Sequence, residues 1–253
     1  MKRITQPHHR TQPMQGRQEE KRASGKSTDD LARKIPFLSC LNEEEIIILR
    51  HLIIERRFAK DQVILREEDT PNYLYFIHAG KVKVIQTNAD GKEKVIAVHQ
   101  QGDFFGEMAV LDGRTEPASV VAVEHTRIGL LSREVFHKHF MCNNKILREI
   151  ILMLCARLRD AWSMAKVMSF ADAEHRVRAV LVYMGERFGV PDPQGTVIRF
   201  RLTHGAIAAF ASLSRETVTR IIKRLEKAGD LEARPHRDIL LKPAFYEGKQ
   251  PRA

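Results

Sequence analysis

The chain has 253 residues, 42 basic against 32 acidic side chains, a formal net charge of +10 and three cysteines. This length allows about two domains with buried cores. There is no apolar run of roughly the 20 residues that span a membrane and no signal-peptide core, so we expect a cytoplasmic protein without a membrane partner. The scattered Cys40, Cys142 and Cys155 argue against a disulfide framework, a zinc ribbon or an iron–sulfur ligand set, and we expect no metal site.

Residues 1–30 are polar and rich in glutamine, proline and charge. Because they hold few side chains that could be buried, they are predicted to form a disordered basic tail. This tail carries a net charge of +3, and residues 169–253 carry +5. Positive charge concentrated at both ends favours a polyanionic partner, and nucleic acid over a membrane surface.

Residues 31–142 are predicted to form a β domain that starts with a short helical segment, residues 31–50, in which Asn42 is a candidate cap. Between residues 58 and 131, short apolar segments are separated by glycine, aspartate and asparagine. Residues 81–86 alternate apolar and charged side chains, residues 88–91 form a turn, and residues 92–98 return as a second strand. This pattern indicates a roll or barrel of antiparallel strands.

Residues 143–168 are predicted to form a long dimerisation helix. Apolar side chains recur along it at alternating intervals of four and three residues, which is typical of a two-stranded coiled coil. This seam consists of Leu147, Ile151, Leu154, Leu158, Ala161, Ala165 and Met168. We therefore expect a homodimer formed through residues 144–168, and the alternative is a helix packed on its own domain.

Residues 169–253 are predicted to be a DNA-binding domain, and residues 203–229 within it are read as two short helices joined by a tight turn. Threonine and serine residues precede the two helices as caps, and the second helix has one apolar and one charged face. Residues 231–242 could add a basic hairpin, which together makes a winged helix-turn-helix for double-stranded DNA. The predicted DNA-contacting residues are Arg215, Glu216, Thr217, Arg220, Ser214, Lys223 and Thr203.

The order of β roll, long helix and helix-turn-helix resembles the Crp/Fnr family of transcription regulators. The segments LSRETVTRIIKRLEKAG and GDFFGEMAVLDGRTEPASVVA carry the resemblance, which covers about residues 31–245. It implies an α+β fold with a cyclic-nucleotide-binding-like roll, a dimer helix and a C-terminal winged helix-turn-helix. It further implies that Arg215, Glu216 and Arg220 read a half-site like TGTGA, and that RNA polymerase is a candidate partner.

The second segment resembles the family's phosphate-binding cassette, in which a glutamate accepts from the ribose and an arginine pairs with the cyclic phosphate. Gly106 and Glu107 match this pattern, but Pro117 stands at the arginine position. Loss of the guanidinium argues against cyclic AMP as the ligand, unless Arg114 replaces it. No cofactor is assigned and a cyclic nucleotide remains a candidate. The implied effector pocket contains Gly106, Glu107, Met108, Arg114, Pro117 and Ala118.

Other readings of the sequence remain open. One is a nucleotide-binding regulatory module that acts through protein contacts rather than DNA. A haem-binding variant of the family would need an axial ligand such as His78, Cys142 or Met108. We expect no enzyme, because the sequence has no recognisable pair of nucleophile and base, no phosphate-binding loop and no metal-ligand spacing.

Overall fold

The computed structural model describes residues 21–22, 35, 38, 41–170, 172–200, 202–235 and 238–247. Lys21–Arg22 forms a short strand, β1, that pairs with β2 (Ile54–Phe58). These two residues lie in the segment predicted to be disordered, so the structure departs from that prediction there. The other residues of the predicted tail lie outside the described part of the chain.

Helix α1 (Glu43–Leu52) begins at Asn42, the cap that the sequence predicts, and the structure shows that this cap is a capping box. The Asn42 side chain accepts a hydrogen bond from the Glu45 N–H at 2.8 Å, and the Glu45 carboxylate accepts one from the Asn42 N–H at 2.9 Å. Each side chain thus satisfies a backbone donor at the helix start. On its inner face, Leu49 is fully buried in an apolar cluster that also contains Leu74, Phe76 and Leu131 of the roll.

The β domain is an antiparallel roll whose further strands are β3 (Val63–Leu65), β4 (Tyr73–Ala79), β5 (Lys81–Thr87), β6 (Glu93–Gln100), β7 (Phe104–Phe105), β8 (Ser119–Ala122) and β9 (Thr126–Ser132). Its two facing sheets have the strand orders β1-β2-β9-β4-β7 and β3-β8-β5-β6. Tight turns join neighbouring strands, as predicted: Asn88 accepts from the Lys92 N–H at 2.8 Å, which closes the hairpin of β5 and β6.

Three helices accompany the roll. α2 (Glu107–Asp112) follows β7, and α3 (Arg133–His139) follows β9 and leads into α4 (Asn144–Phe170), which is 27 residues long. The first turns of α4 pack on the roll, where Ile146 and Ile150 are buried. Further along, most of the α4 surface is exposed. The N-terminal half of the helix, as far as Arg157, is therefore the part that contacts the roll.

The C-terminal domain contains α5 (Ala173–Phe188), α6 (His204–Ala211), α7 (Arg215–Ala228) and α8 (Pro243–Glu247). Its sheet has the order β10-β11-β13-β12, formed by β10 (Gly189–Asp192), β11 (Gly195–Ile198), β12 (Leu231–Ala233) and β13 (Ile239–Leu241). The sequence predicts a turn at residues 191–193 and a strand at residues 197–202. The structure instead places Pro191 in β10, where an edge strand tolerates a proline without an N–H.

The C-terminal domain packs directly on the roll. One apolar core cluster combines side chains of α5, α6 and α7 with Ile85, Val95, Val98 and Val121 of the roll. Arg187 of α5 adds a hydrogen bond to the Val98 carbonyl at 2.9 Å and an ion pair with Asp103. The two domains therefore share buried apolar surface.

In the described ranges, no helix combines the length and apolarity needed to cross a membrane.

Candidate DNA-recognition surface and effector pocket

The helix-turn-helix is held by the two caps that the sequence predicts. The Thr203 hydroxyl accepts from the Ala206 N–H at 3.0 Å at the start of α6, and the Ser214 hydroxyl accepts from the Thr217 N–H at 3.2 Å at the start of α7. Between them, Ser212 adopts a left-handed conformation with φ of 53°. Glycine adopts this conformation at lower cost, so the turn keeps its shape with a serine under some strain.

Helix α7 separates its apolar and polar faces sharply. Its buried face is formed by Val218, Ile221, Ile222 and Leu225. The predicted contact residues Arg215, Glu216, Arg220 and Lys223 are exposed on the other side. Among the residues that the structure describes, Arg220 and Lys223 have no hydrogen-bond or ion-pair partner. Their donors therefore remain available to a ligand.

The first turn of α7 presents an ionised acceptor beside these cations. The Glu216 N–H and the Ser214 hydroxyl hold the pKa of the Glu216 carboxyl below its usual range. Ser214 is exposed and Thr217 is half-buried, and their hydroxyl oxygens lie 3.0 Å apart. The start of the helix therefore offers a carboxylate, two hydroxyl groups and the Arg215 guanidinium within one turn.

Sequence reasoning did not identify a hydrogen bond between the two helices of the motif. His204 Nδ1 lies 2.8 Å from Thr219 Oγ1, and Thr219 Oγ1 donates to the Arg215 carbonyl at 2.8 Å. Since the hydroxyl proton is used in the second bond, the His204 ring must donate in the first. This bond fixes the position of α7 relative to α6 and could not be found from spacing alone.

The predicted basic hairpin is present as β12 and β13, but one of its cations is paired within the domain. Arg234 contacts Asp192, the last residue of β10, at 3.0 Å and Gln194, in the turn that follows, at 2.7 Å. His236 and Arg237, two further basic residues of the predicted hairpin segment 231–242, lie outside the described residues. Arg234 therefore holds the hairpin against its own sheet.

The cassette begins at Gly106, which has a left-handed φ of 79° and no side chain to cap α2. A Cβ at Gly106 would lie 2.8 Å from the Tyr75 ring, so this close approach requires glycine. The adjacent Glu107 is nine-tenths buried and is bound by Arg157 of α4. The Arg157 guanidinium donates to Glu107 Oε1 at 2.6 Å and to the Phe104 carbonyl at 2.8 Å. This pair links the cassette to the predicted dimer helix.

The structure distributes the other pocket candidates between surface and interior. Met108, Arg114 and Pro117 are exposed, whereas Ala118 is buried. The cavity beside Glu107 has a volume of about 10 Å³, enough for about one water molecule. It is lined by Leu74, Phe104, Glu107, Val110, Leu111, Phe136 and Ile150. Of the six candidates, only Glu107 lines this cavity.

The residues considered as haem ligands are also dispersed. His78 is buried within the roll, while Met108 and Cys142 are exposed. Burial, with a further contribution from Arg127, lowers the pKa of His78 to about 4. The described part of the chain contains no group of three or more His, Cys, Asp or Glu residues arranged to hold a metal ion.

Two family models match the two halves of this architecture. Residues 55–142 match the cyclic nucleotide-binding domain, and residues 175–244 match the Crp-like helix-turn-helix domain. These ranges contain the cassette and the capped helix pair described above.

Curated relatives and solved structures agree with these matches. The Cyclic AMP receptor protein of Thermus thermophilus is 30% identical over 200 residues, 79% of this chain and 89% of that protein. The Anaerobic regulatory protein of Pasteurella multocida is 25% identical over 198 residues, 78% and 71% of the two chains. FixK2 from Bradyrhizobium japonicum shares the fold with a TM-score of 0.71 at 24% identity, covering 79% of this chain and 99% of that one. The protein belongs to the Crp/Fnr family of DNA-binding transcription regulators.

Proposed function

We propose that two copies of this regulator pair along α4 and read a near-palindromic DNA site with TGTGA-like half-sites. The observation that carries the proposal is the exposed face of α7, where Arg220 and Lys223 point to solvent beside the Glu216 carboxylate. A surface helix that needs only solubility does not need this combination of donors and an acceptor in its first three turns. The major groove of DNA offers acceptors for the donors and donors for the carboxylate.

The proposed readout follows from side-chain geometry. An arginine donates two parallel hydrogen bonds to the O6 and N7 atoms of guanine, and a glutamate accepts from the N4 amino group of cytosine. We assign these roles to Arg215, Arg220 and Glu216. Lys223, Ser214, Thr217 and Thr203 are assigned to the phosphates or to neighbouring base edges, because they are hydroxyl or ammonium donors at the two helix starts and along the same face.

The exposed surface of α4 supports pairing of two copies. Ile151 is 60% exposed and Leu158 is 52% exposed, although both belong to the predicted seam. Trp162, 69% exposed, lies beside that seam. Burying such side chains against the same helix of a second copy removes a continuous apolar stripe from water. The dimer would place two recognition helices about 34 Å apart, one turn of the DNA duplex.

The roll is proposed to bias the relative position of the DNA-binding domains. An effector can do so only if it binds one arrangement better than the other. Its identity stays open: the Thermus relative is named for cyclic AMP, and this chain keeps Glu107 but has Pro117 at the phosphate-arginine position. As a regulator of transcription the dimer would act in the cytoplasm, without catalysis, and RNA polymerase is its proposed protein partner.

The DNA proposal is tested by titrating the full-length protein onto a fluorescent palindrome of TGTGA half-sites and onto a scrambled duplex at fixed salt. The titration is run with and without cyclic AMP. We expect tighter binding to the palindrome. Equal affinity for both duplexes under both conditions would contradict the proposed half-site, since phosphate contacts alone do not distinguish sequences.

The pairing proposal is tested with Leu158→Glu, which places a charge in the seam. We expect a monomer in sedimentation analysis and a loss of affinity for the palindrome of about a hundredfold, because two linked half-site contacts become independent. Leu152→Glu is the matched control, since Leu152 is an exposed leucine on the same helix outside the seam. A dimer that survives Leu158→Glu with full affinity would place the interface elsewhere.

A further inference from the structure

Strand β6 is the edge of its sheet in the roll, and the C-terminal domain covers that edge. Arg187 of α5 donates through Nε to the Val98 carbonyl at 2.9 Å, and the Gln100 side chain donates to the Arg187 carbonyl at 3.3 Å. An uncovered edge strand leaves backbone groups unpaired, so this contact satisfies a group that the sheet leaves open. The position of the C-terminal domain on the roll therefore depends in part on Arg187.

The guanidinium of Arg187 ends on a carboxylate oxygen that a histidine also approaches. Arg187 Nη2 donates to Asp103 Oδ2, and the Gln100 N–H donates to the same oxygen at 2.9 Å. His99 Nδ1 lies 3.7 Å from that oxygen and 3.5 Å from Arg187 Nη2. One oxygen atom thus faces a fixed cation from one domain and a side chain of the other domain that becomes a cation when it is protonated.

The site is balanced in charge while His99 is neutral. One guanidinium faces one carboxylate, and the His99 side chain is only 11% exposed, so little water is available to solvate a further charge. Burial alone would raise the pKa of Asp103, but the hydrogen bonds from His99 and the Gln100 N–H and the charge of Arg187 together lower it to about 2. The carboxylate is therefore ionised throughout the pH range in which histidine titrates.

Protonation of His99 adds a second cation to this site. Burial lowers the pKa of His99, the hydrogen bond to Asp103 opposes that shift, and the Arg157 and Arg187 guanidinium groups add to it. Tyr183 of α5 lies beside Arg187 and Asp103, and burial raises the pKa of its hydroxyl, so it stays neutral. Part of the penalty on the imidazolium thus comes from Arg187 of the other domain, and it disappears when α5 leaves the roll.

We propose that Asp103 is the shared acceptor of a proton-operated latch between the two domains. With His99 neutral, Asp103 binds Arg187 and holds the C-terminal domain on β6. With His99 protonated, the imidazolium donates to Asp103 and Arg187 is released. The proposal rests on the role proposed above for the roll in positioning the DNA-binding domain, and it is independent of the half-site sequence.

The sign of the pH dependence follows from proton linkage. Because the docked state has the lower pKa at His99, it binds fewer protons there than the undocked state. Docking is therefore strongest above the ordinary histidine pKa and weakens as the pH falls below it. In acid, the roll would lose its hold on the DNA-binding domain.

Hydrogen–deuterium exchange of the full-length protein without DNA, corrected for the intrinsic pH dependence of exchange, tests the latch. The two conditions are about pH 7.5 and about pH 5.5, one unit on either side of the ordinary histidine pKa. We expect the protection of β6 to fall severalfold and by at most about tenfold, which is the limit for one proton over that window. Strand β4, within the roll, should keep its protection.

Three variants separate the latch from other acid effects. His99→Gln removes the titrating group and should abolish the pH response of β6, whereas His125→Gln, at an exposed histidine of the roll, should leave the response intact. Arg187→Gln should lower β6 protection at both pH values and make it independent of pH, because the latch is then open throughout. An unchanged response in His99→Gln, or a parallel loss of protection in β4, would overturn the proposal. Because no DNA is present, failure of the half-site proposal would not affect this result.

Discussion

The recognition helix and the cassette are both rich in charge, but they use it in opposite ways. On α7, Arg220 and Lys223 extend into solvent and engage none of the residues that the structure describes. In the cassette, Glu107 is bound by Arg157, and Glu116 accepts from a backbone amide. One region leaves its polar groups for a partner, and the other satisfies them within the chain.

This difference teaches that the residue types of a motif do not by themselves show whether its polar groups are free to bind a ligand. A buried polar group without a partner costs free energy, so a pocket that lacks its ligand is stabilised when the chain supplies partners of its own. An exposed guanidinium carries little such cost because water solvates it. The two regions therefore differ less in their residue types than in whether their polar groups already have hydrogen-bond partners within the chain.

The largest expected effect is the acid sensitivity of the roll interior. Burial lowers the pKa of His78 from its ordinary value of 6.5 to about 4. Between these values the unfolded chain binds more protons at this residue than the folded chain, so folding stability is lost as the pH falls. Integrated over the window from pH 6.5 to 4, this contributes a loss of about 3 kcal/mol in the free energy of unfolding.

Urea unfolding of the wild type and of His78→Gln gives the free energy of unfolding at each pH in that window. The contribution of His78 is the difference between the two slopes of this free energy against pH. His139→Gln serves as the control, because His139 is exposed on α3. The ratio of palindrome to scrambled affinity should not change between neutral pH and pH about 6, since guanidinium groups keep their charge throughout. Parallel pH profiles for wild type and His78→Gln would show that another group controls the acid response.

A smaller effect is expected from substitutions on the recognition helix α7. Arg220→Ala should weaken palindrome binding by about 1–3 kcal/mol and relax preference at one base position, because a guanidinium pair to a base edge is lost. Lys223→Ala should weaken binding to all duplexes alike and lower the salt dependence. Fluorescence anisotropy on a set of single-base substitutions distinguishes these two patterns.

Arg224→Ala is the internal control for that experiment. Arg224 lies on the same helix but forms an ion pair with Glu174 of α5, so it is already engaged within the domain. It should change sequence preference less than Arg220→Ala does. If Arg220→Ala weakened cognate and scrambled duplexes equally, Arg220 would be a phosphate contact and the assigned readout would be wrong.

Local features of the fold were predictable because their signals lie within a few residues. Asn42, Thr203 and Ser214 cap helices where the sequence indicates, and the residue 88–91 turn joins the two strands predicted around it. The apolar side of α7 follows directly from its spacing. In each case a side chain and the backbone it satisfies are neighbours in sequence.

Contacts between distant parts of the chain were not predictable in this way. Arg157 reaches Glu107 across 50 positions and Arg187 reaches Asp103 across 84. Nothing in the spacing of either arginine distinguishes it from the exposed Arg159. The burial of Glu116 was missed for the same reason, since its acceptor role depends on how β8 brings the segment against α2. The domain boundaries and the DNA-contact assignments remain predictions.

The smallest expected effect concerns the pair that closes the cassette. Arg157→Ala should lower the free energy of unfolding by about 1–2 kcal/mol, because it leaves the buried Glu107 carboxylate without its cation, while solvent screens the one-third-exposed guanidinium. Glu107→Gln combined with Arg157→Ala should recover part of that loss, and Arg159→Ala is the control on the same helix. Sequence selectivity on DNA should be unchanged in all three. A stability loss that the double variant does not reduce would mean that Arg157 acts through its packing on the Phe104 ring, 4.9 Å from the guanidinium, rather than through charge.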